Sequence, residues 1–237
     1  MDRAVFPLTV FVDNKIQFLG TAFYIQEFGG FITAKHNLDY KDVNLKDKII
    51  AITKVGKNKY LPRRISSINF HPTADISVGL LEDKYFESDL KVIANYYTIL
   101  DFDDVPDGSK IRTFAYPKST VEFEREEYWG HFIPEVYNGK VIETVVRNDI
   151  FLKGKVYHSN MLIRSGSSGG PVFNKEGNVI GVNSTGFDLG NGEDPISFIT
   201  PIAYALDVQV DNKTTLRELC KRGYGNMKFL NFSEEEE

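Results

Sequence analysis

Short runs rich in β-branched and aromatic residues follow one another along almost the whole chain, each closed by turn-forming residues. AVFPLTVFV and KIQFLGTAFYI flank Asp13-Asn14, which reads as two strands joined by a turn. FGGFITA, KIIAITKV, KYLPRRISSINF and DISVGLLE continue the pattern. After an interruption come KIRTFAYP, VEFEREEYWGHFI, KVIETVVR, IFLKGKVYH, GGPVF, NVIGVNST and PISFIT. The 18 Phe and 12 Tyr suit pleated, half-buried surfaces. No run reaches the ~18 apolar residues that a membrane span needs. Many short strands with turns between them predict an all-β barrel or sandwich.

The interruption is DFDDVPDGSK at 101–110, where four aspartates, a proline and a glycine make an exposed connection. It divides the chain into an N-terminal unit over 1–100 and a C-terminal unit over 111–222. The last part of the second unit changes character. Thr200-Pro201 before IAYAL offers an N-cap with proline at the first helical position. Thr215 and Glu218 have capping-box spacing before LCKR, and Gly223 is placed to stop that helix. Residues 223–237 read as a flexible acidic tail.

The formal net charge is −5, and Glu234 to Glu237 supply −4 of it, leaving about −1 for the body. A near-neutral body without a basic stripe argues against nucleic acid or an anionic membrane as a partner. Cys220 is the only cysteine, so no intrachain disulfide forms, and a reducing compartment is favoured. With no apolar leader pattern in MDRAVFPLTVFVDNK, the expected address is the cytoplasm. His71, His131 and His158 lack metal-ligand spacing, and one cysteine builds no zinc site, so neither metal nor cofactor is expected.

The chemistry concentrates in RSGSSGGPVF, residues 164–173. Glycine is costly to order, yet three surround Ser168. A nucleophilic hydroxyl needs a sharply turned, exposed backbone. The oxyanion formed on attack needs backbone N–H donors converging on one point. Substrate must also approach the main chain closely. Glycine serves all three demands; the plainer reading is a Gly/Ser turn between strands.

Serine needs a base, and the base needs an orienting acid. All four histidines precede Ser168, and Pro171 with a strand pattern follows it. The G-x-S-x-G elbow of α/β-hydrolases requires a histidine after the serine and a helix at that place, so that reading fails. His36 ends the apolar run in FITAKHNL, a place that suits a base at a barrel rim or simply a surface histidine. Asp75, in HPTADISVGLL, leads into a buried strand. It is either a turn residue or a carboxylate with a partner, because unpaired buried carboxylates are expensive.

At these places the chain resembles the trypsin-like serine peptidases of the chymotrypsin fold, most closely the HtrA-type protease domains of the bacterial and intracellular branch. The carriers are Gly20-Thr21-Ala22-Phe23, Thr33-Ala34-Lys35-His36, Asp75-Ile76-Ser77-Val78, Gly166 to Pro171, Val179-Ile180-Gly181-Val182 and Phe198-Ile199-Thr200-Pro201. They stand in the family's order, with 39 residues from His36 to Asp75 and 93 from Asp75 to Ser168, and cover roughly 3–222. The resemblance implies two perpendicular six-stranded antiparallel β-barrels with a C-terminal helix. The first barrel would carry His36 and Asp75, the second Ser168. It implies a His36-Asp75-Ser168 triad working through an acyl-enzyme, with the amides of Gly166 and Ser168 as the oxyanion hole.

It also implies a first specificity pocket walled by Leu162, Ile163, Asn183, Ser184, Gly186, Ile196 and Phe198. With no acid at its base, that pocket would prefer a small or medium aliphatic side chain; the same residues would equally serve a core. Ser167 stands where secreted relatives carry the aspartate that receives a new N-terminus, so zymogen activation of that kind is not expected. Lys35 replaces a small residue before the histidine, with little effect expected because neighbours on extended chain point apart. No PDZ-like module is expected from the residues after 222.

Two functional classes follow. One is a regulated serine endopeptidase making limited cuts in an intracellular protein or peptide, switched by loop ordering or an activating partner, as a stress or defence role would require. The other is a catalytically silent relative acting as a binding scaffold, which the three filled triad positions argue against.

Overall fold

The structure is a computed structural model. It describes residues 2–12, 15–39, 48–56, 60–83, 95–117, 119–124, 127–150, 152–187, 190 and 195–222, without the side chains of 15, 121–124 and 127–129. The Asp13-Asn14 turn, the Gly223 stop and the 223–237 tail lie outside the described residues.

Six strands close the first barrel: β1 (Val5–Val12), β2 (Lys15–Tyr24), β3 (Gly30–Thr33), β4 (Ile49–Lys54), β5 (Tyr60–Phe70) and β6 (Ser77–Leu81). Their order is β1-β2-β3-β6-β5-β4, and β1 closes the ring by pairing antiparallel with β4 from Leu8↔Ala51 to Val10↔Ile49. Side chains alternate across each strand, and β1 uses both faces. Phe6, Leu8 and Val10 point into the barrel with Tyr24, Phe31 and Ile49. Val5 points the other way, into a cluster described below.

After β7 (Lys110–Ala115) comes a separate hairpin of β8 (Thr120–Glu124) and β9 (Glu127–His131). β10 (Glu135–Asn148), β11 (Lys153–Ser159), β12 (Pro171–Phe173), β13 (Val179–Phe187) and β14 (Ile196–Pro201) follow. The second barrel runs β10-β11-β14-β13-β12-β7, with β7 paired to both β12 and β10. The architecture is therefore two closed six-stranded barrels, as the strand pattern and the resemblance predict.

A single apolar cluster joins the barrels. Val5, Phe23, Ile32, Ala34, Ala74 and Ile76 of the first half pack with Leu100, Tyr116, Phe173, Val179 and Val182 of the second. The helical tail adds Ile202, Ala205, Val208, Leu216 and Cys220 to it. The connecting segment is stitched to both sides. The Thr98 amide donates to the Tyr24 carbonyl of β2, while Val179 in β13 donates to the Ile99 carbonyl and Asp101 donates back to Val179.

At the C-terminus, α1 (Leu216–Lys221) carries the capping box expected from Thr215 and Glu218. The segment after Pro201 differs from expectation. Ile202–Asp207 is a 3-10 helix, and Pro201 belongs to β14, where it pairs with Gly181. The β13–β14 ladder outweighs the local preference of proline for a first helical turn. The Cys220 thiol is buried in the shared cluster, and burial pushes its pKa up to about 12.

Phe31 is fully buried, and its ring fills the space where a Cβ on Gly79 would stand within 2.4 Å of it. Truncation to alanine empties that space. Phe31→Ala is expected to lower the unfolding free energy by about 3–5 kcal/mol, read from the urea midpoint at constant slope.

Candidate active site

His36 sits in a 3-10 turn, Lys35–Asn37, directly after β3. Asp75 ends the connection from β5 and immediately precedes Ile76 and β6. β3 and β6 are neighbours, pairing Thr33 with Ser77, so two residues 39 apart in sequence meet at one barrel rim. The Asp75 carboxylate takes both of its oxygens to His36. Oδ2 lies 2.8 Å from the ring Nδ1, and Oδ1 accepts the His36 backbone N–H at 3.0 Å. Two-point attachment fixes the position of the residue as well as the orientation of its ring. The carboxylate is buried, whereas 41% of the His36 side chain is exposed. The ring thus gives Nδ1 to the acid.

Lys35 turns away from this pair. Its ammonium donates to the His71 carbonyl at 3.1 Å and lies over the Phe70 ring. Lys35 stands in the 3-10 turn and not on the extended chain expected of it, and its bond to His71 is what directs the ammonium elsewhere.

The 166–170 loop is held from both barrels. From the second, Asn183 of β13 exchanges backbone bonds with it: Gly169 N–H donates to the Asn183 carbonyl, and Asn183 N–H to the Gly170 carbonyl. The Asn183 side-chain amide donates to the Ser167 carbonyl and to Thr113 Oγ1. From the first barrel, the Thr21 amide and the Asn37 side-chain amide both donate to the Ser168 carbonyl, at 2.8 and 2.9 Å. Thr21 Oγ1 donates to the Gly166 carbonyl, and Thr33 Oγ1 donates to the Thr21 carbonyl. His36 and Ser168 are thus tied through Asn37, the residue next to His36.

The Ser168 hydroxyl donates to the Ser184 carbonyl at 2.9 Å. Among the described residues it has no hydrogen bond with the His36 ring, and the amides of Gly166 and Ser168 donate to no protein acceptor. Beneath them, Ser167 is fully buried, and its Oγ and Asn183 Oδ1 have no hydrogen-bond partner among the described residues.

The residues expected to wall a specificity pocket divide. Leu162 is half-buried, and Ile163 belongs to the core cluster of the second barrel. Gly186 lies directly against Ile163, so that a Cβ there would stand 2.8 Å from the Ile163 carbonyl oxygen. Ser184 Oγ and Thr200 Oγ1 share a hydrogen bond, and Asn183 is committed to the serine loop. Ile196 and Phe198 pack in a small outlying cluster with Leu152 and Val156, where the Arg147 guanidinium lies over the Phe198 ring.

Of the other histidines, His131 is exposed, His158 pairs with Glu143 at 3.2 Å, and His71 is buried. No group of three or more His, Cys, Asp or Glu among the described residues could hold a metal. Sequence reasoning missed Asn37, whose only signal is its place beside His36. It treated Asn183 as a pocket wall. Thr21 was quoted within a motif without a role.

Gly169 has φ +85°, and a Cβ there would stand 2.1 Å from both the Thr21 carbonyl and Thr33 Oγ1. Neither backbone strain nor the contact can relax without breaking the grip on Ser168. Gly169→Ala is expected to cost about 3 kcal/mol or more, seen as a lowered melting temperature.

With the geometry established, comparison with known proteins places the chain. The trypsin family model matches residues 2–208. Over 66 residues the chain is 42% identical to a probable periplasmic serine endoprotease DegP-like of Hahella chejuensis (strain KCTC 2396), covering 28% of this chain and 14% of that protein. A protein of the same name from Halomonas elongata (strain ATCC 33173 / DSM 2581 / NBRC 15536 / NCIMB 2198 / 1H9) is 46% identical over 50 residues, 21% of this chain and 10% of its own length. The chain thus spans about a seventh or less of these relatives. Among solved structures, Deg5 superposes with TM-score 0.61 at 16% identity over 85% of both chains. The HtrA-type protease AlgW with decapeptide gives 0.60 at 20% identity, over 87% of this chain and 63% of that one. Such identities speak for the fold, which is shared with HtrA-type proteases. On the match that spans most of its length, the chain belongs to the trypsin family.

Proposed function

We propose that this chain is a serine endopeptidase that cleaves protein or peptide substrates with His36, Asp75 and Ser168 as its triad. The observation that carries the reading is the two-point attachment of His36 to the Asp75 carboxylate beside a serine loop gripped by Asn37.

In this reading a change of rotamer carries Ser168 Oγ from the Ser184 carbonyl to the exposed side of the imidazole. His36 takes the hydroxyl proton as Oγ bonds to the scissile carbonyl carbon, and the carbonyl π electrons move onto oxygen. Asp75 steadies the imidazolium without becoming protonated. The unspent amides of Gly166 and Ser168 supply the donors for the oxyanion. His36 then gives its proton to the leaving amine as the C–N bond breaks, leaving an acyl-enzyme. A water molecule, deprotonated by the same imidazole, releases the acid and restores the hydroxyl. Each oxyanion donor is worth about 3 kcal/mol of barrier.

The hydroxyl parked on Ser184, and Gly186 pressed against Ile163, support a resting form that substrate or an activating partner reshapes. Partner control suits a serine loop whose buried Ser167 offers no acid to an incoming N-terminus. A small or medium aliphatic side chain at the cleaved residue fits the apolar Leu162 and Ile163. We further propose the division into units at 1–100 and 111–222 across the 101–110 connection. The cytoplasm as address rests on the single cysteine. The DegP-like relatives carry periplasmic names, and fractionation of cells producing the chain decides between the compartments. No helix among the described residues is long and apolar enough to cross a membrane.

A fluorophosphonate probe tests the triad directly, because it reacts with an activated serine whatever the natural substrate. The wild-type chain is expected to label at Ser168, and Ser168→Ala to remain unlabelled. Asp75→Asn is expected to slow labelling by roughly 10⁴-fold, with His36→Ala at least as slow. Absence of labelling in the wild type, with and without peptide ligands, overturns the reading.

A further inference from the structure

His71 is buried, lies outside the chemistry described so far, and makes bonds that only one of its protonation states allows. It opens the connection from β5 to β6, and its own N–H donates to the Ile76 carbonyl across that turn. Its ring Nδ1 then accepts two backbone amides, Ala74 N–H at 2.8 Å and Thr73 N–H at 3.1 Å. Ala74 precedes Asp75. Two converging N–H donors require a lone pair on Nδ1, so the ring proton resides on Nε2.

We propose that His71 is a positioning residue for the triad: neutral, it ties down the turn that presents Asp75 to His36, and on protonation it lets that turn go. The proposal rests on the triad reading above. An N–H on Nδ1 would face two other N–H groups, so acid converts an acceptor that organises the turn into a donor that opposes it.

The surroundings keep the ring neutral. The Tyr204 ring packs against it edge-on with centroids 5.1 Å apart, and the Lys35 ammonium reaches its carbonyl. Burial, helped by the Lys35 charge, lowers the His71 pKa below the ordinary 6.5; Asp207, which is engaged by Arg217 of α1, pulls it the other way. The folded form therefore takes up this proton less readily than the unfolded chain does. The stability contributed by neutral His71 is complete above pH 6.5 and drains as pH falls through the lowered value.

Asparagine separates the acceptor from the titration. Its Oδ1 hangs from Cγ, as Nδ1 does in histidine, and accepts amides two and three residues on as an Asx turn does. Fluorophosphonate labelling rates of the full chain from pH 5 to 8, with circular dichroism at each pH, form the test. In the wild type the logarithm of the rate is expected to fall more steeply at the acid end than in His71→Asn, because protonation of His71 adds to the loss. In His71→Asn that added loss is expected to be gone, leaving a shallower fall, with the wild-type rate at pH 8. His71→Ala should label about tenfold to a hundredfold more slowly at pH 8 while remaining folded. A purely structural role would lower the folded fraction and leave the slope alone.

A His71→Asn profile superimposable on the wild type, or a His71→Ala rate equal to it, overturns the proposal. If the wild type labels at no pH, it is the Ser168 reading that fails. The melting temperature between pH 7 and 5 then decides for His71. A flatter dependence in His71→Asn supports its role as the acceptor of the turn, and an identical one overturns it.

Discussion

The carbonyl oxygen of Ser168 draws donors from the first barrel onto the serine loop of the second. It accepts the Thr21 amide from β2 and the Asn37 side-chain amide from the turn after β3. Each bond is worth only about 1 kcal/mol net, and neither would hold two barrels together. That work falls to the apolar cluster from Val5 and Phe23 to Val179 and Val182, which sets the gross placement. The two bonds do what apolar contact cannot, which is to fix distance and direction at the residue proposed as the nucleophile. Glycine makes the approach feasible. A Cβ on Gly20 would stand 2.5 Å from the Asn37 amide nitrogen and 2.7 Å from the Ser168 oxygen itself.

The polar groups around that oxygen form one connected set. Thr33 Oγ1 receives one N–H of Asn37 and donates onward to the Thr21 carbonyl, while Thr21 Oγ1 accepts the Tyr116 amide and donates to the Gly166 carbonyl. On the other side Asn183 binds the same loop through its backbone N–H, its carbonyl and its side-chain amide. Such a network is costly to bury and is stable only when its members are matched. The exceptions, Ser167 Oγ and Asn183 Oδ1, lie immediately beneath the serine. An unsatisfied buried acceptor or hydroxyl costs about 1–3 kcal/mol. That cost sits in the loop carrying the proposed nucleophile, so its relief upon rearrangement would be a physical route to the switching proposed above.

Much of this was legible in the sequence, for reasons that differ by residue. Short β-branched runs between turns are a local signal, and the strands of both barrels fall on them. The Thr215–Glu218 capping box is likewise local and forms as expected. The proline at 201 misled, because pairing with Gly181 is a long-range fact that no helix-start rule contains. Asp75 and His36 could be singled out by chemistry, since a carboxylate leading into a buried strand calls for a partner. Asn37 could not. Its role depends on Ser168 arriving from 131 residues away. His71 was set aside because it matched no metal spacing, whereas its role lies in accepting two amides of its own turn.

The proposed triad pair and the His71 turn both spend backbone amides on side-chain acceptors. Asp75 Oδ1 accepts the His36 amide, and His71 Nδ1 accepts those of Thr73 and Ala74. A carbonyl in either place would hold the backbone at any pH. An imidazole Nδ1 holds it only while its lone pair is free, whereas a carboxyl keeps an accepting oxygen in either protonation state. Acid therefore acts on the His71 acceptor, and in the proposed reading it loosens the turn that presents Asp75.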